Sequence, residues 1–308
     1  MFTLKTDNDR LLLASADLRA EIYLYGGLLN RYEIRRPDGT WFNIVKAYDT
    51  PQHARESLTE WFRSGKLSPY ACRLRHGKYN FDGKAYQCGK FKLAGHAAHG
   101  LMYDHEFALV NSHADEQSAE VEIRADYAQD DSGYPFPFSL TVRYRLSADG
   151  LSIRSTVRNQ GTTAMPLADG WHPYFTLGGK ADDWSLEIDS SKRLGFDADL
   201  VPDGSIIDDT RFQTTSSLTG IELDNSFVLA RSKPAACTLS GNGLTLSIYP
   251  DASYPYLQIF TPSTRDTIAI ENLSGAPDCF NNGLGLIKLN SGEEAVFETR
   301  YHIAANRP

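Results

Sequence analysis

The sequence predicts an all-β fold of stacked antiparallel sheets, on three observations. Apolar and polar residues alternate with period two in nearly every segment, one stretch alone carries a convincing helical pattern, and no βαβ rhythm separates the strands. No low-complexity run, Gly/Ser tract or block of like charge interrupts the chain, so residues 1–308 are expected to form a single domain.

The strands can be placed in order. Leu11–Ala14, Ala20–Tyr25 and Leu28–Arg35 alternate, and Arg36-Pro37-Asp38-Gly39 turns the chain into Trp41–Val45. A helix follows, with Thr50 as N-cap, Pro51 at its first position and Ala54, Leu58, Trp61 and Phe62 on one buried face. Ala119–Tyr127 is a strand, and the clearest alternation, from Leu140 to Asn159 around Ser147-Ala148-Asp149-Gly150, reads as a hairpin. Leu244–Tyr249 and Ala295–Ile303 alternate as well, whereas Tyr256–Thr261 and Thr267–Asn272 are apolar enough to be buried on both faces.

Composition removes several function classes. Thirty-nine acidic against 31 basic residues, with the basic ones scattered, leave no electrostatic footprint for nucleic acid. Met1–Arg10 has no apolar core of a signal peptide and no run of about 18 apolar residues occurs, so no membrane partner is expected and a cytoplasmic location is. Cys72, Cys88, Cys237 and Cys279 contain no C-x-x-C pair and are expected as reduced thiols. A monomer or weak dimer is the expected assembly.

The densest chemistry lies in Asp169-Gly-Trp-His-Pro-Tyr-Phe-Thr-Leu-Gly-Gly179. Pro173 biases His172 to extended backbone, placing its imidazole at a strand end, and Trp171, Tyr174 and Phe175 are candidate walls of a sugar cleft around it. A histidine packed among aromatics for its own sake gives the same pattern. Residues 165–179, MPLADGWHPYFTLGG, resemble the central motif of the aldose 1-epimerases, the galactose mutarotase-like proteins, whose HPYF core carries the catalytic histidine.

That resemblance implies a single large β-supersandwich with one or two short helices and a sugar cleft across one sheet face. It also implies four further residues. Glu271, after Thr267-Ile-Ala-Ile270, matches the catalytic glutamate. Asn272 stands where many members have proline, a departure expected to touch loop rigidity. Arg73, in Pro69–Gly83, matches a substrate-binding arginine, although Cys72 replaces the asparagine frequent before it and puts a neighbouring sugar contact in doubt. His99 matches a second active-site histidine, with Leu101 and Glu106-Phe107 departing from the rest of its motif, and Asp224 matches a hydroxyl-binding aspartate. Read without the resemblance, Arg73 with Arg75 and Lys78 is equally a solvated strand face, and Asp224 an ordinary turn aspartate. A metal held by His96, His99 and His105 fits no standard zinc spacing, and none is expected.

Opening a sugar ring at C1 takes one group to remove the anomeric hydroxyl proton and another to protonate the ring oxygen, with no metal or redox cofactor. The implied function is aldose 1-epimerase (mutarotase) action on the α and β anomers of a free hexose such as glucose or galactose, with Glu271 as base and His172 as acid. Arg73, His99 and Asp224 would bind the sugar. A monosaccharide is then the expected small-molecule partner. Three rivals stay open: a hexose-6-phosphate 1-epimerase, which calls for an Arg/Lys cluster at the cleft rim; a non-catalytic carbohydrate-binding protein; and a glycosidase using Glu271 and Asp224. Gly283-Leu-Gly285 lacks the third glycine and the helix of a dinucleotide site, and no G-x-S-x-G elbow occurs.

Overall fold

Long alternating strands can bury one face only if their registers agree, and from Ser118 onward they do. The computed structural model, which describes residues 1–305, pairs Ser118–Tyr127 with Phe138–Ser147 and that strand with Gly150–Asn159. Gly150–Asn159 pairs in turn with the C-terminal Glu294–Ala305, and every pairing is antiparallel. Val121, Ile123, Leu140, Val142 and Ile153 therefore share one buried face. Leu244–Pro250, Cys237–Gly241, Ser185–Ile188 and Ser216–Ser217 continue this sheet on one side and Ala108–Ala114 on the other, making nine strands.

A second, eight-stranded sheet runs in the order Pro202–Asp208, Lys192–Phe196, Asp224–Val228, Tyr256–Phe260, Ile268–Leu273, Gly170–His172, Gly65–Leu67. Tyr174–Phe175 also pairs with Ile268–Leu273. The two sheets stack through aromatic contacts, Phe175 with Tyr301 at 5.3 Å between ring centres and Trp171 with Tyr144 at 6.2 Å. Five N-terminal strands, Thr3–Thr6 through Trp41–Asn43, form a smaller antiparallel sheet whose inward residues join the same apolar core. The expected hairpin, the two doubly buried strands and the antiparallel stacking are all present.

Two expectations need correction. Asn272 lies in the Ile268–Leu273 strand, not in a loop: fully buried, it donates to Thr299 Oγ1 (3.2 Å) and Tyr301 Oη (3.4 Å) of the facing sheet. A polar side chain so placed ties the sheets together. The helix is Pro51–Trp61 with Thr50 capping the His53 amide at 3.0 Å, but of the expected face only Ala54 and Leu58 are buried helical residues. Phe62 leaves the helix at φ +51° and turns its ring inward against Phe91 and Tyr103, so Trp61 stays 42% exposed at a rim.

Lys66 is fully buried. Its ammonium bonds Asp169, Ser155 Oγ (3.0 Å) and the Gly170 carbonyl (3.3 Å), and sits 4.2 Å over the Trp171 ring. Asp169 also accepts from Tyr254 Oη at 2.8 Å, and its amide donates to Ser274 Oγ. Burial lowers the Lys66 pKa to about 8 against the pull of Asp169.

Removing one partner of such a pair strands a buried charge, so Lys66→Met is expected to cost about 3–5 kcal/mol in urea unfolding. Adding Asp169→Asn should recover part of that loss. Because one apolar cluster runs from Leu11 to Ile303, fluorescence and circular dichroism are expected to report the same single unfolding transition. Two separated transitions would divide the chain into domains.

Candidate active site

The second sheet alternates in the strands that matter most. Trp171, Phe175 and Asn272 point at the facing sheet, so His172, Tyr174 and Glu271 are turned to the other side. There they line a cleft of about 260 Å³ with Cys72, Arg73, His99, Asp224 and Gln258. Phe62, Phe91, Phe196 and Phe260 supply apolar wall.

His172 Nε2 lies 3.4 Å from Glu271 Oε1, and both side chains are almost wholly buried. The other carboxylate oxygen, Oε2, receives the Cys72 thiol at 3.8 Å. Cys72 adopts φ +52°, and its carbonyl accepts the His99 amide at 2.9 Å, which stands the His99 ring edge-on to His172 at 5.1 Å. Gln258 is the cross-strand partner of Glu271, and its Nε2 donates to Asp224 Oδ1 at 2.7 Å. Four polar atoms of cleft-lining residues, Arg73 Nε, His99 Nδ1, His172 Nδ1 and Gln258 Oε1, are buried with no hydrogen-bond partner among the described residues. Buried polar groups are rarely left so, and here they converge on one concavity.

Burial decides the protonation. It pushes the Glu271 carboxyl well above the usual carboxylate value, and the Asp224 charge adds to the effect. It lowers His172 to about 4 and His99 well below the ordinary imidazole value, His172 and Arg73 contributing to the latter. Asp224 is raised by burial, with Arg73 and Gln258 pulling the other way. Burial thus favours the uncharged form of both imidazoles and of the Glu271 carboxyl.

All five residues picked from sequence line this one cleft. Of the three candidate aromatic walls only Tyr174 does; Trp171 and Phe175 are core residues because adjacent residues of a strand face opposite ways. Glu271 sits inside the Ile268–Leu273 strand. Cys72 lines the cleft with its thiol against Glu271 Oε2. Gln258 was missed, although its place in an apolar strand, Tyr256–Phe260, was the available signal. The three histidines of the metal reading are dispersed: His96 stacks on His76, His105 meets Asp104 and Asp130, and only His99 reaches the cleft.

If the thiol is what holds Oε2, its replacements should move Glu271 in opposite senses. Cys72→Asn offers a stronger donor to the carboxylate and should lower the Glu271 pKa, whereas Cys72→Ala offers none and should raise it. Carbon-13 NMR titration of the carboxyl, with Glu271→Gln to assign the signal, checks this. Shifts of the same sign in both variants would remove the thiol from that role.

Comparison with known proteins agrees with this architecture. The sequence pattern of the family described as aldose 1-epimerase matches residues 9–302. The uncharacterized protein YihR of Escherichia coli is 26% identical over 234 residues, 74% of each chain. The crystal structure of a galactose mutarotase-like protein from Clostridium acetobutylicum superposes with a TM-score of 0.85 at 16% identity, covering 99% of this chain and 98% of that one. Galactose 1-epimerase from Lactobacillus acidophilus gives a TM-score of 0.82 at 19% identity, covering 100% and 99%. The fold is that of the galactose mutarotase-like proteins.

Proposed function

As the chain belongs to the aldose 1-epimerase family, we propose that it interconverts the α and β anomers of a free hexose by opening and reclosing the ring, with Glu271 and His172 as the proton-transferring pair. The observation that carries the reading is their 3.4 Å contact in a buried cleft edged with polar atoms that lack partners. A purely binding protein has no need of that pair. Arg73, His99, Asp224 and Gln258 offer the sugar hydroxyls donors and acceptors.

The chemistry balances on a single shared proton. Hydroxyls donated to Glu271 favour its ionised form and pass the proton to His172. Glu271 then takes the proton of the anomeric hydroxyl, C1=O forms, the bond from C1 to the ring oxygen breaks, and His172 protonates that oxygen. Rotation about C1–C2 followed by the same transfers in reverse closes the other anomer. Because burial favours the uncharged pair, proton transfer to Glu271 and from His172 discharges both groups as the ring opens. The open-chain state leaves the pair in the protonation state its surroundings favour.

The sugar-phosphate reading finds less support. Arg75 is held by Asp197 and Asp199 outside the cleft, and Arg73 is the one cation among the described lining residues. Lys46 and Arg63 line a recess that adjoins the cleft at Trp61 and Tyr174, and Asp266 holds Lys46 at 2.9 Å, so the cleft itself suits a neutral aldose better.

Polarimetry of freshly dissolved α-glucose, α-galactose and their 6-phosphates tests the activity. Glu271→Gln and His172→Asn should each lower kcat by at least about 10²-fold with the fold intact. A folded Glu271→Gln protein of wild-type rate would exclude the mechanism. Activity needs one proton on the pair, so kcat/KM should be bell-shaped, failing on the acid side at about pH 4 as His172 protonates and on the alkaline side as Glu271 loses its proton. Both limbs belong to the coupled pair. An acid limb near the ordinary imidazole value would contradict the burial argument.

A further inference from the structure

One wall of the cleft is a loop. Phe196 and Leu200 line the cleft, and they bracket the turn between Lys192–Phe196 and Pro202–Asp208, the latter being the edge strand of the eight-stranded sheet. Arg75 ties this turn to the segment that carries Arg73: its guanidinium bonds the Asp197 carboxylate through one nitrogen and Asp199 Oδ2 through the other, at 3.2 Å. We propose that Arg75 is a positioning residue for the reaction, latching the loop so that its apolar wall closes over the bound sugar. The inference rests on the reading of the cleft as the site of anomer exchange.

Three features fit a latch. The turn is bonded to itself: Asp197 Oδ1 accepts the amides of Asp199 (2.9 Å) and Val201 (3.2 Å), the Asp197 carbonyl accepts that of Leu200 (3.1 Å), and the Asp197 amide donates to the Val201 carbonyl (3.0 Å). A shift of the whole turn therefore breaks none of its own hydrogen bonds. The tie is also of a kind that is readily made and broken, because the Arg75, Asp197 and Asp199 side chains are 34%, 33% and 51% exposed, and ion pairs so placed are screened by water and salt. The base of the latch, by contrast, is fixed. Asp278 fastens it on both sides of Leu74, its amide donating to the Arg73 carbonyl at 2.7 Å and its Oδ1 accepting the Arg75 amide at 2.8 Å. Buried His96, whose Nδ1 accepts the His76 amide, sets its Nε2 3.9 Å from the same Asp199 oxygen that Arg75 holds.

Closure suits the chemistry. Proton exchange between Glu271, the sugar and His172 is favoured where bulk water cannot compete for the proton, and Phe196 and Leu200 bring carbon to the side of the cleft that the loop occupies. Ala198 and Asp199, between them, are exposed, so the loop stands between cleft and solvent. Arg73 reaches the cleft and Arg75 the loop beside it from one anchored backbone, which places the closed wall in a fixed relation to the substrate-binding guanidinium.

Access to Cys72 measures the latch without turnover, because Cys72 lines the cleft and the other three cysteines are buried. Labelling of Cys72 by N-ethylmaleimide, located by peptide mass, should be about two- to fivefold faster in Arg75→Gln and in Asp199→Ala than in the wild-type protein, the range that an exposed ion pair spans. KM for the aldose should rise by the same factor with kcat nearly unchanged, and the double variant should be no worse than Arg75→Gln alone. Arg75→Gln keeps the backbone bond to Asp278, and Asp199 lies outside the segment of Arg73, so a matching effect in the two variants cannot come from a displaced Arg73. The aldose is uncharged, so added NaCl acts on the protein's own ion pairs: the wild-type KM should rise with salt and that of Arg75→Gln should not. Labelling at the wild-type rate in both variants overturns the latch, as does a salt response that survives Arg75→Gln. Should the wild-type protein change the anomeric ratio of no sugar, the proposed function fails, and faster labelling of Cys72 in the two variants still supports the latch.

Discussion

One strand, Ile268–Leu273, is buried along its whole length, and that constraint organises the molecule. Its inward face packs against the nine-stranded sheet through Ile270 and Asn272, so the side chain between them cannot also be core. Glu271 is therefore delivered to the opposite face, and that face too is covered, by the segment carrying Cys72 and Arg73 and by the helix end at Phe62. A carboxyl in such a place is costly when ionised, and its displaced proton affinity follows from sheet geometry more than from any neighbouring charge.

The Lys66–Asp169 pair is the complementary device. Asp169 begins the segment that carries His172, and its amide is tied to Ser274, just beyond the strand of Glu271. Lys66 comes from the neighbouring strand and reaches Ser155 in the facing sheet. A salt bridge at this depth is weak as a source of stability and strong as a specifier, since any slip of register would leave one charge alone in an apolar core. It holds the imidazole strand and the carboxylate strand in the single alignment that lets Nε2 face Oε1.

The architecture was legible because period-two alternation is a direct imprint of one buried face, and the helix because Thr50 and Pro51 announce its start. What the pattern could not convey is which of two faces each residue takes. Trp171 and Phe175 differ in no local feature from Tyr174, and only the position of the facing sheet sorts them. Trp61 and Phe62 were ambiguous for a related reason: a helix that ends in a left-handed residue breaks the 3.6 periodicity at that point, and the choice of which ring turns inward belongs to Phe91 and Tyr103, distant in sequence. The five residues that share the cleft were legible through resemblance, since Arg73 and Asp224 alone have no pattern that separates them from surface charges. Gln258 shows the limit, an amide whose meaning appears only once the register places it beside Glu271 and within reach of Asp224.

The protonation of the pair also explains how so buried a site can be maintained. An ion pair of Glu271 and His172 would carry the desolvation cost of two charges permanently, whereas a carboxylic acid beside a neutral imidazole carries none. In the proposed reaction charge separation is needed only while a sugar hydroxyl is hydrogen-bonded to the carboxylate, and Arg73, His99 and Gln258, each with a buried polar atom lacking a partner among the described residues, line the same cleft. A neutral His99 suits this arrangement, because a second imidazolium edge-on to His172 would make protonation of His172 harder still. In the proposed reaction the charged form of the pair would arise together with the bound substrate, and the cost of creating the charges would be offset by hydrogen bonds that the substrate brings.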